Sequence, residues 1–347
     1  MLIQSMDGYN MYNSKFHTAD LSRDSFLITG GAGFIGSNLV RYLLKYGARR
    51  VRVFDNLSTG HMRNIQDFLS HPAFEFVQGD IRNPEACQNA TEDMDFILHQ
   101  AALGSVPRSI VDPVTSHDVN ITGFLNMLMA VKKSSVRRMV YAASSSTYGD
   151  STALPKVEEH IGKPLSPYAV TKYVNELYAD VFARSYNMEL IGLRYFNVFG
   201  PGQDPHGAYA AVIPKFVNQL LHHESPIING DGSYSRDFTF IENVVQANLL
   251  ATYVKDPKAV NTVYNVAFGE QTSLNQMVEA LKKYLSESDP AISDIPVIHG
   301  GRREGDIPHS LASIEKARKK LGYAPEYNFN EGLRVSVKWY RRHNNTI

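Results

Sequence analysis

The sequence contains a single cysteine, has no surplus of either charge and has no long apolar run. Cys87 alone cannot form an intramolecular disulfide or a Cys-rich metal site, which fits a reducing compartment. Lys plus Arg and Asp plus Glu each number 35, so the chain lacks the basic surplus typical of nucleic-acid binding. No apolar run approaches the roughly 20 residues of a membrane span, and residues 1–24 lack the apolar core of a signal peptide. We therefore expect a soluble cytoplasmic protein without a nucleic-acid or membrane partner.

The composition and the order of apolar segments predict an α/β fold. A chain of 347 residues, 43% hydrophobic, suggests about two domains or one large α/β domain. From Phe26 onward, short apolar runs alternate with segments of helical period. This order predicts a Rossmann-type, doubly wound parallel sheet with right-handed crossovers, whose ligands bind at the carboxyl ends of the strands.

The individual elements of this sheet follow from the same alternation. The expected strands are Phe26–Thr29, Val51–Phe54, Phe74–Gln78, Phe96–His99, Arg138–Ala142 and Leu190–Leu193. The expected helices between them are Ile35–Tyr46, Asn64–Leu69, Pro84–Ala90, Val114–Lys133 and Tyr168–Tyr186.

The pattern changes after about Gly200, where Gly- and Pro-rich loop signals occur at 200–207 and 229–232. We expect a dinucleotide-binding domain over 25–199, with 239–265 returning to it, and a smaller mixed substrate lobe from 200–238 and 266–347. Residues 1–24 form an extension that the sequence leaves open between a packed helix and a mobile segment. Helical patterns in the second half cover Ala211–His222, Ile241–Tyr253, Leu274–Leu285, Ser313–Leu321 and Leu333–Arg342.

A glycine-rich turn follows the first expected strand and opens the first expected helix. The glycines have G-x-x-G-x-x-G spacing: Gly30 allows a tight turn, Gly33 allows close approach of a pyrophosphate, and Gly36 allows close contact between helix and strand. The helix that follows offers free N–H groups and a positive dipole end to phosphates. Asp55 stands at the end of the next strand, where a carboxylate accepts hydrogen bonds from the adenosine ribose. Because that carboxylate would repel a 2′-phosphate, we expect NAD rather than NADP.

Tyr168 and Lys172 are spaced to act together in a catalytic site. Positions i and i+4 share one face of a helix, so the phenol and the ammonium can point into one site. A nearby cation favours phenolate, so Lys172 and the nicotinamide charge would bring the pKa of Tyr168 from about 10 toward neutrality for general-base work. Ser144 follows an apolar strand and can donate a hydrogen bond to a substrate oxygen.

On these residues the chain resembles the extended short-chain dehydrogenases/reductases, and within them the nucleotide-sugar 4-epimerases similar to UDP-galactose 4-epimerase. The resemblance runs from about Phe26 to the C-terminus. It also includes the segments Asp55-Asn56-Leu57-Ser58-Thr59-Gly60, His99-Gln100-Ala101-Ala102, Arg194-Tyr195-Phe196-Asn197, Arg236-Asp237-Phe238 and Arg303-Glu304-Gly305-Asp306.

The resemblance implies a role for each matching residue. Tyr168 would be the catalytic base, Lys172 would also hold the nicotinamide ribose, and Ser144 would be the catalytic serine. Asn197 would bind a substrate phosphate, Arg236 and Arg303 the diphosphate, and Asp306 the uridine ribose. Residues expected to bind NAD are Gly30, Gly33, Phe34, Ile35, Gly36, Asp55, Asn56, Ser58, Thr59, Gly60, Asp80, Ile81, Gln100, Ala101, Ala102, Asn120, Tyr168, Lys172, Tyr195 and Val198. Residues expected to contact the substrate are Gly104, Ser105, Arg108, Ser144, Ser145, Ser146, Tyr168, Asn197, Gln203, Ala211, Val212, Lys215, Arg236, Arg303, Asp306 and Ser310.

The implied reaction is epimerisation at C4 of a UDP-sugar through a transient 4-keto sugar, without net redox change. Nucleotide-sugar 4,6-dehydratases of the family carry an Asp-Glu pair after the catalytic Ser/Thr, where this chain has Ser145 and Ser146, so dehydration is disfavoured. A decarboxylase or a net dehydrogenase is harder to exclude. A non-catalytic NAD-binding protein would not need Ser144, Tyr168 and Lys172 together.

Small residues indicate which sugar is bound. Family members restricted to non-acetylated sugars carry a bulky Tyr at the position of Ser310, and a small residue there leaves room for an N-acetyl group at C2. The resemblance to the N-acetyl-hexosamine subgroup extends to Gly104, Ser145, Asn197, Gln203 and Ala211. We therefore expect interconversion of UDP-GlcNAc and UDP-GalNAc, with UDP-glucose/UDP-galactose or UDP-uronic-acid epimerisation as the alternatives.

The helical patterns Val114–Lys133 and Tyr168–Tyr186 carry apolar residues whose partners the sequence does not name. We expect Phe124, Leu128, Leu177 and Val181 to cover the sheet. The resemblance adds that such helices pair in a four-helix interface, which implies a homodimer. No metal site is expected, because the sequence has no H-x-x-x-H pair.

Overall fold

The computed structural model describes residues 11–206, 210–301 and 307–343, so Arg303 and Asp306 lie outside the described residues. Seven strands form one parallel sheet in the order β11-β6-β5-β4-β1-β2-β3. Their bounds are Ser25–Thr29 (β1), Arg50–Asp55 (β2), Phe74–Gln78 (β3), Phe96–His99 (β4), Arg138–Ser144 (β5), Leu190–Tyr195 (β6) and Thr262–Val266 (β11). The Rossmann-type fold expected from the sequence is confirmed.

Helices cover both faces of this sheet and build the second half of the chain. Their bounds are Phe34–Lys45 (α1), Pro84–Thr91 (α2), Val106–Val111 (α3), Pro113–His117 (α4), Gly123–Lys132 (α5), Pro167–Tyr186 (α6), Val212–Leu221 (α7), Ile241–Tyr253 (α8), Leu274–Ser286 (α9), Glu315–Leu321 (α10) and Phe329–His343 (α11). Short strands Val198–Phe199 (β7), Ile227–Asn229 (β8), Ser235–Arg236 (β9), Thr239–Phe240 (β10), Thr272–Ser273 (β12) and Ile298–Gly300 (β13) pair as β7 with β10, β8 with β13 and β9 with β12.

Two of the expected elements differ from those observed, and one observed helix was not expected. Asn64–Leu69 is not an α-helix but lies across two 3₁₀ turns, Met62–Asn64 and Gln66–Phe68. The pattern Val114–Lys133 is interrupted by a π-helical turn at Asp118–Thr122, of the kind often found at functional sites. Helix α3 was not predicted, although Ser105 caps its N-terminus and Pro107 stands in its first turn.

The crossover between β1 and β4 positions the site. These strands are neighbours in the sheet, while the chain between them runs through β2 and β3 on the other side of β1. In a doubly wound sheet, the crevice at such a reversal of strand order is where ligands bind. β1 is buried along its whole length, as expected of a strand covered on both faces.

Two of the helical residues expected to cover the sheet do not do so. Phe124 and Leu128 are fully buried beneath it, but Leu177 and Val181 on α6 are 49% and 47% exposed. The expectation was wrong for this pair because helical period shows only that residues share a face. It does not show which neighbour covers that face.

The N-terminal extension packs against α1, and it is not an α-helix between residue 11 and the 3₁₀ turn at Leu21–Arg23. Tyr12 and Phe16 are buried, and the Phe16 ring stacks on Tyr42 of α1 with centroids 5.3 Å apart. The aromatic contacts add buried apolar area to a helix whose N-terminus faces the crevice. Within the described ranges, no helix is long and apolar enough to cross a membrane.

Candidate active site

A cavity of about 340 Å³ opens at the carboxyl ends of β1, β2 and β4. It brings together fifteen of the residues expected to bind NAD, which come from loops that are far apart in the sequence. These residues are Gly30, Gly33, Phe34, Ile35, Gly36, Asp55, Asn56, Ser58, Thr59, Gly60, Asp80, Ile81, Gln100, Ala101 and Ala102.

The three glycines of the first turn have distinct geometric roles. Gly30 has a φ of +68°, a left-handed conformation that favours glycine. A Cβ on Gly36 would lie 2.3 Å from the carbonyl oxygen of Gly30, so α1 approaches the turn too closely for any side chain. A Cβ on Gly33 would meet only that same oxygen, at 3.2 Å. Because Gly33 lines the cavity, this leaves bare backbone facing the space where a pyrophosphate would bind.

Two carboxylates at this cavity are held in place by hydrogen bonds. Asp55 accepts from the backbone N–H groups of Ala32 (3.0 Å) and Leu57 (2.8 Å), and burial raises the pKa of its carboxyl. Asp80 accepts from the side chains of Arg82 (2.7 Å) and Asn56 (2.8 Å), and the Arg82 hydrogen bonds lower the pKa of Asp80 to about 2. The cavity therefore has fixed acceptors suited to ribose hydroxyls and adenine N–H donors, and the residues present fit a dinucleotide.

Asn120 does not line the described cavities and instead supports one of them. It is 2% exposed on the π-helical turn, where its Oδ1 accepts from the Leu103 N–H (2.8 Å) and its Nδ2 donates to Thr171 Oγ1 (3.1 Å). Tyr195 does line the next cavity, and its hydroxyl donates to Gln100 Oε1 (3.1 Å) while accepting from Asn248 (2.9 Å). Sequence reasoning missed Asn248 because it lies in a helix beyond the recognised motifs.

The predicted catalytic residues meet in a second cavity of about 240 Å³. Ser144 at the end of β5 and Tyr168 and Lys172 in the first two turns of α6 line it. Ser166 caps α6 by accepting from the Ala169 N–H (3.1 Å), which fixes the start of the helix and hence the direction of Tyr168. Ile35, Gln100, Ala102 and Gly104 line both this cavity and the first one, so the two adjoin.

Hydrogen bonds fix the side chains of two of the predicted catalytic residues, Lys172 and Ser144. Lys172 Nζ donates to the Ala142 carbonyl oxygen (2.8 Å), which holds the ammonium against β5. Ser144 Oγ accepts from the Ser146 hydroxyl (2.9 Å) and the Ser146 N–H (3.2 Å), so its own proton can be donated elsewhere.

The electrostatics of Tyr168 differ in part from the sequence prediction. Burial raises the pKa of Tyr168, and the hydrogen bond with Ser144 lowers it by a smaller amount. Burial also lowers the pKa of Lys172 to about 8, against a smaller upward effect of the Glu176 charge. The protein's own groups therefore leave the phenol above its usual pKa, and the expected shift toward neutrality requires the positive nicotinamide ring as well.

A third cavity, of about 330 Å³, adjoins the second one. Ser144 and Asn197 line both the second and third cavities, which makes them continuous. The predicted substrate residues that line the third cavity are Ser144, Ser145, Ser146, Asn197, Arg236 and Ser310.

Other predicted substrate residues lie apart from this cavity. Ser105 accepts from the Arg108 N–H (3.2 Å) as the cap of α3. Gln203 donates to the Val198 carbonyl oxygen (3.2 Å) in the loop before α7. None of Ser105, Arg108, Gln203, Ala211, Val212 and Lys215 lines the three cavities in the part of the chain that the structure describes.

Several lining residues of the third cavity were missed from the sequence. Val106, Pro107 and Ile110 form the inner side of α3, and Lys156 and Ile307 lie on loops. The cap and proline at the start of α3 were a usable signal. The loop residues gave none, because only the fold brings them to the catalytic serine.

His99 illustrates a buried histidine with a structural role. Its Nδ1 lies 2.8 Å from Thr29 Oγ1, and burial lowers its pKa to about 3, so it is neutral. Among the described residues, no cluster of three His, Cys, Asp or Glu side chains could hold a metal ion.

The fold and the site together define an NAD-dependent epimerase of the short-chain dehydrogenase/reductase type. Residues 26–267 match the model of the NAD dependent epimerase/dehydratase family, and the chain belongs to that family. The expected NAD cofactor and the epimerase class are confirmed.

Individual relatives align over nearly their whole length. The chain is 38% identical to a putative UDP-glucose 4-epimerase of Methanocaldococcus jannaschii, covering 92% of this chain and 99% of that one. It is 37% identical to the UDP-N-acetylglucosamine 4-epimerase of Methanobrevibacter ruminantium M1, solved with UDP-N-acetylmuramic acid, at a TM-score of 0.84 and with coverage of 92% and 99%. The UDP-glucose 4-epimerase of Thermotoga maritima, solved with UDP-glucose, is 34% identical at a TM-score of 0.84, with the same coverage.

Proposed function

We propose that this enzyme interconverts UDP-GlcNAc and UDP-GalNAc by epimerisation at C4. The observation that carries the proposal is the continuity of three cavities, of which the second, lined by Ser144, Tyr168 and Lys172, adjoins both others. A dinucleotide in the first cavity would place its reactive end beside Tyr168. A UDP-sugar in the third cavity would meet that end from the other side.

The catalytic groups divide the proton chemistry at the sugar 4-hydroxyl. Bound NAD supplies a hydride acceptor and donor, so that no net oxidation is needed. Tyr168 takes the hydroxyl proton and returns it, and Ser144 donates a hydrogen bond to the same oxygen. Lys172, held by the Ala142 carbonyl, keeps a positive charge near the phenolate. Its remaining N–H donors would hold the nicotinamide ribose.

The substrate must be held firmly at the nucleotide and loosely at the sugar, because the keto sugar has to present both faces to the cofactor. Arg236 supplies fixed positive charge, and its Nη1 donates to the carbonyl oxygens of Ser235 (2.9 Å) and Pro308 (3.2 Å). Asn197 lines the same cavity with a φ of +33°, in the left-handed region that asparagine tolerates better than most residues. Arg303 and Asp306 complete the anchor in the family resemblance.

Small residues around the sugar support the acetylated substrate. Ser145 and Ser310 line the third cavity, and Gly104, where a Cβ would meet no atom within 4 Å, lines the adjoining second cavity. This space fits a C2 acetamido group, whose amide has a donor and an acceptor that serine hydroxyls can match. The sugar named for the Methanobrevibacter relative has the same substituent.

The activity test uses the purified wild-type chain loaded with NAD. Incubation with UDP-GlcNAc should give UDP-GalNAc, identified by chromatography of the released sugar, at a higher kcat/KM than the conversion of UDP-glucose to UDP-galactose. UDP-glucuronic acid is included as a third substrate. A clear preference for UDP-glucose or for the uronic acid would overturn the sugar assignment while leaving epimerisation intact.

We propose that two copies associate through the exposed face of α6. Val170, Leu177 and Val181 are 46%, 49% and 47% exposed and lie on one side of this helix. An apolar stripe of this kind is typical of a helix–helix interface. Sedimentation equilibrium should give twice the monomer mass, and Leu177→Lys should shift the protein toward monomer.

A further inference from the structure

Asp237 is a fully buried carboxylate that ties together three separate segments of the substrate lobe. Its Oδ1 accepts from the backbone N–H of Phe268 (3.1 Å). The Gly269 N–H reaches both carboxylate oxygens, at 3.2 Å and 3.1 Å, and Oδ2 also accepts from the Ala312 N–H (3.1 Å). The side chain therefore joins the β9–β10 turn to the end of β11 and to residues 307–313, which we name the pocket segment.

The pocket segment carries Ser310 and is also held near the cavity by hydrogen bonds to β9, to Lys156 and to Asn265. Ser310 N–H donates to the Ser235 carbonyl oxygen (3.1 Å), and Ser235 N–H donates to the Pro308 carbonyl oxygen (3.0 Å). On its other side, the Lys156 N–H donates to the Leu311 carbonyl oxygen (2.7 Å). Ala312 follows Leu311, so the hydrogen bond to Asp237 lies within the stretch of the pocket segment that pairs with Lys156.

Asp237 also contacts Asn197, which lines the third cavity and is expected to bind a substrate phosphate. Its backbone carbonyl accepts from Asn197 Nδ2 (3.2 Å). Arg236, its neighbour in sequence, contacts the pocket segment through the Pro308 carbonyl oxygen. Asp237 is thus bonded to Asn197, adjacent in sequence to Arg236, and bonded to Ala312, two residues after Ser310.

Burying the Asp237 carboxylate costs free energy of desolvation, which argues that the side chain has a specific role. It is 0% exposed, and its carboxylate oxygens accept from the backbone N–H groups of Phe268, Gly269 and Ala312. Burial raises the pKa of Asp237 to about 7, against the lowering effect of the three backbone N–H groups. An apolar or amide side chain would avoid that cost but could not accept from three N–H donors at once.

We propose that Asp237 is a positioning residue that sets the distance between Asn197, Arg236 and Ser310 and thereby the affinity for the UDP-sugar. The inference rests on the proposed function, since it assigns those three residues to substrate. It concerns binding and not chemistry, because Asp237 lines none of the cavities that hold Ser144 and Tyr168.

The test compares two variants with one matched control. Each variant breaks the hydrogen bond between Asp237 and the pocket segment, one from each side. Asp237→Asn replaces an acceptor oxygen by an N–H donor, and Ala312→Pro removes the donor on the pocket segment while leaving Asp237 unchanged. The control is Asn243→Ala. Asn243 is 1% exposed, lines none of the three cavities, and accepts from the N–H groups of Glu326 (2.9 Å) and Tyr327 (3.2 Å).

Asp237→Asn and Ala312→Pro should each raise KM for the UDP-sugar and Kd for UDP about tenfold, the loss expected from one hydrogen bond to a charged group. Their kcat and bound NAD should stay near wild type. The control should lose stability at unchanged KM. An unchanged KM and Kd in either folded variant, or an equal rise in the control, would overturn the proposal. If Asp237→Asn does not fold, Ala312→Pro alone decides.

The two proposals fail in different ways. A wild type that binds UDP but epimerises no UDP-sugar would overturn the proposed function, and the Kd comparison for UDP would still decide the role of Asp237. A wild type that epimerises normally, with variants of unchanged KM, would overturn only the role of Asp237.

Discussion

Gly33→Ala should weaken NAD binding with little loss of stability, whereas Gly36→Ala should lower the stability of the protein. Both glycines belong to the same turn and both line the cofactor cavity. A Cβ on Gly36 would lie 2.3 Å from the Gly30 oxygen and 2.7 Å from Gly31 Cα, whereas a Cβ on Gly33 meets only the Gly30 oxygen, at 3.2 Å. The first is a clash with backbone, and the second is a close contact that a small shift relieves.

The magnitudes follow from these distances. To restore an ordinary contact, α1 must move about 1 Å from the turn in Gly36→Ala, and overpacking of this kind costs about 1–3 kcal/mol. Gly33→Ala should change the free energy of unfolding by less than about 1 kcal/mol. Its methyl group would stand where a pyrophosphate must approach the backbone, so NAD affinity should fall about tenfold or more.

Urea unfolding of the NAD-free protein and calorimetric titration with NAD measure the two effects separately. Gly36→Ala should lower the unfolding midpoint clearly, whereas Gly33→Ala should unfold near wild type and bind NAD weakly. Wild-type NAD affinity in Gly33→Ala would refute the role of this turn in phosphate binding. A wild-type midpoint in Gly36→Ala would refute the packing argument.

Three further predictions concern pH, the sugar and the core. Because the Lys172 pKa is lowered to about 8, kcat/KM should fall as pH rises through about 8 and the ammonium loses its proton; a rate that stays flat to pH 10 would contradict this. Ser310→Tyr should reduce turnover of UDP-GlcNAc far more than that of UDP-glucose, and equal losses would rule out the pocket argument. Glu176→Ala should destabilise by about 3–5 kcal/mol, since it leaves the guanidinium of Arg194, 3% exposed, without its partner at 2.7 Å. On the same helix, Asp180→Ala breaks an exposed pair and should cost less than about 1 kcal/mol in urea unfolding; similar losses in both variants would refute the difference in burial.

Much of the sheet and the cofactor site could be predicted because the relevant signals are local. Gly30, Gly33 and Gly36 lie within one turn, and Tyr168 and Lys172 lie one helical turn apart, so spacing alone places them. Asp55 and Ser144 end buried strands, and parallel strands bring their carboxyl ends to one edge of the sheet.

The remaining features depend on contacts between distant segments. Asp237 finds its donors at residues 268, 269 and 312, and no sequence pattern links these positions. Leu177 and Val181 share a helix face, but only the fold shows that no other part of the described chain covers it. The Tyr168 pKa depends on burial, which residue spacing does not reveal.

Tyr168→Phe tests the central claim most directly, because it removes one oxygen from the second cavity, which adjoins the other two. The variant should retain bound NAD, and its conversion of UDP-GlcNAc to UDP-GalNAc should fall by about 10²–10⁴-fold, the usual loss of a positioned acid–base group. Absorbance of the released dinucleotide checks NAD content in the same preparation. A Phe variant with near-wild-type turnover and full NAD content would contradict the account, because Tyr168 could not then be the base.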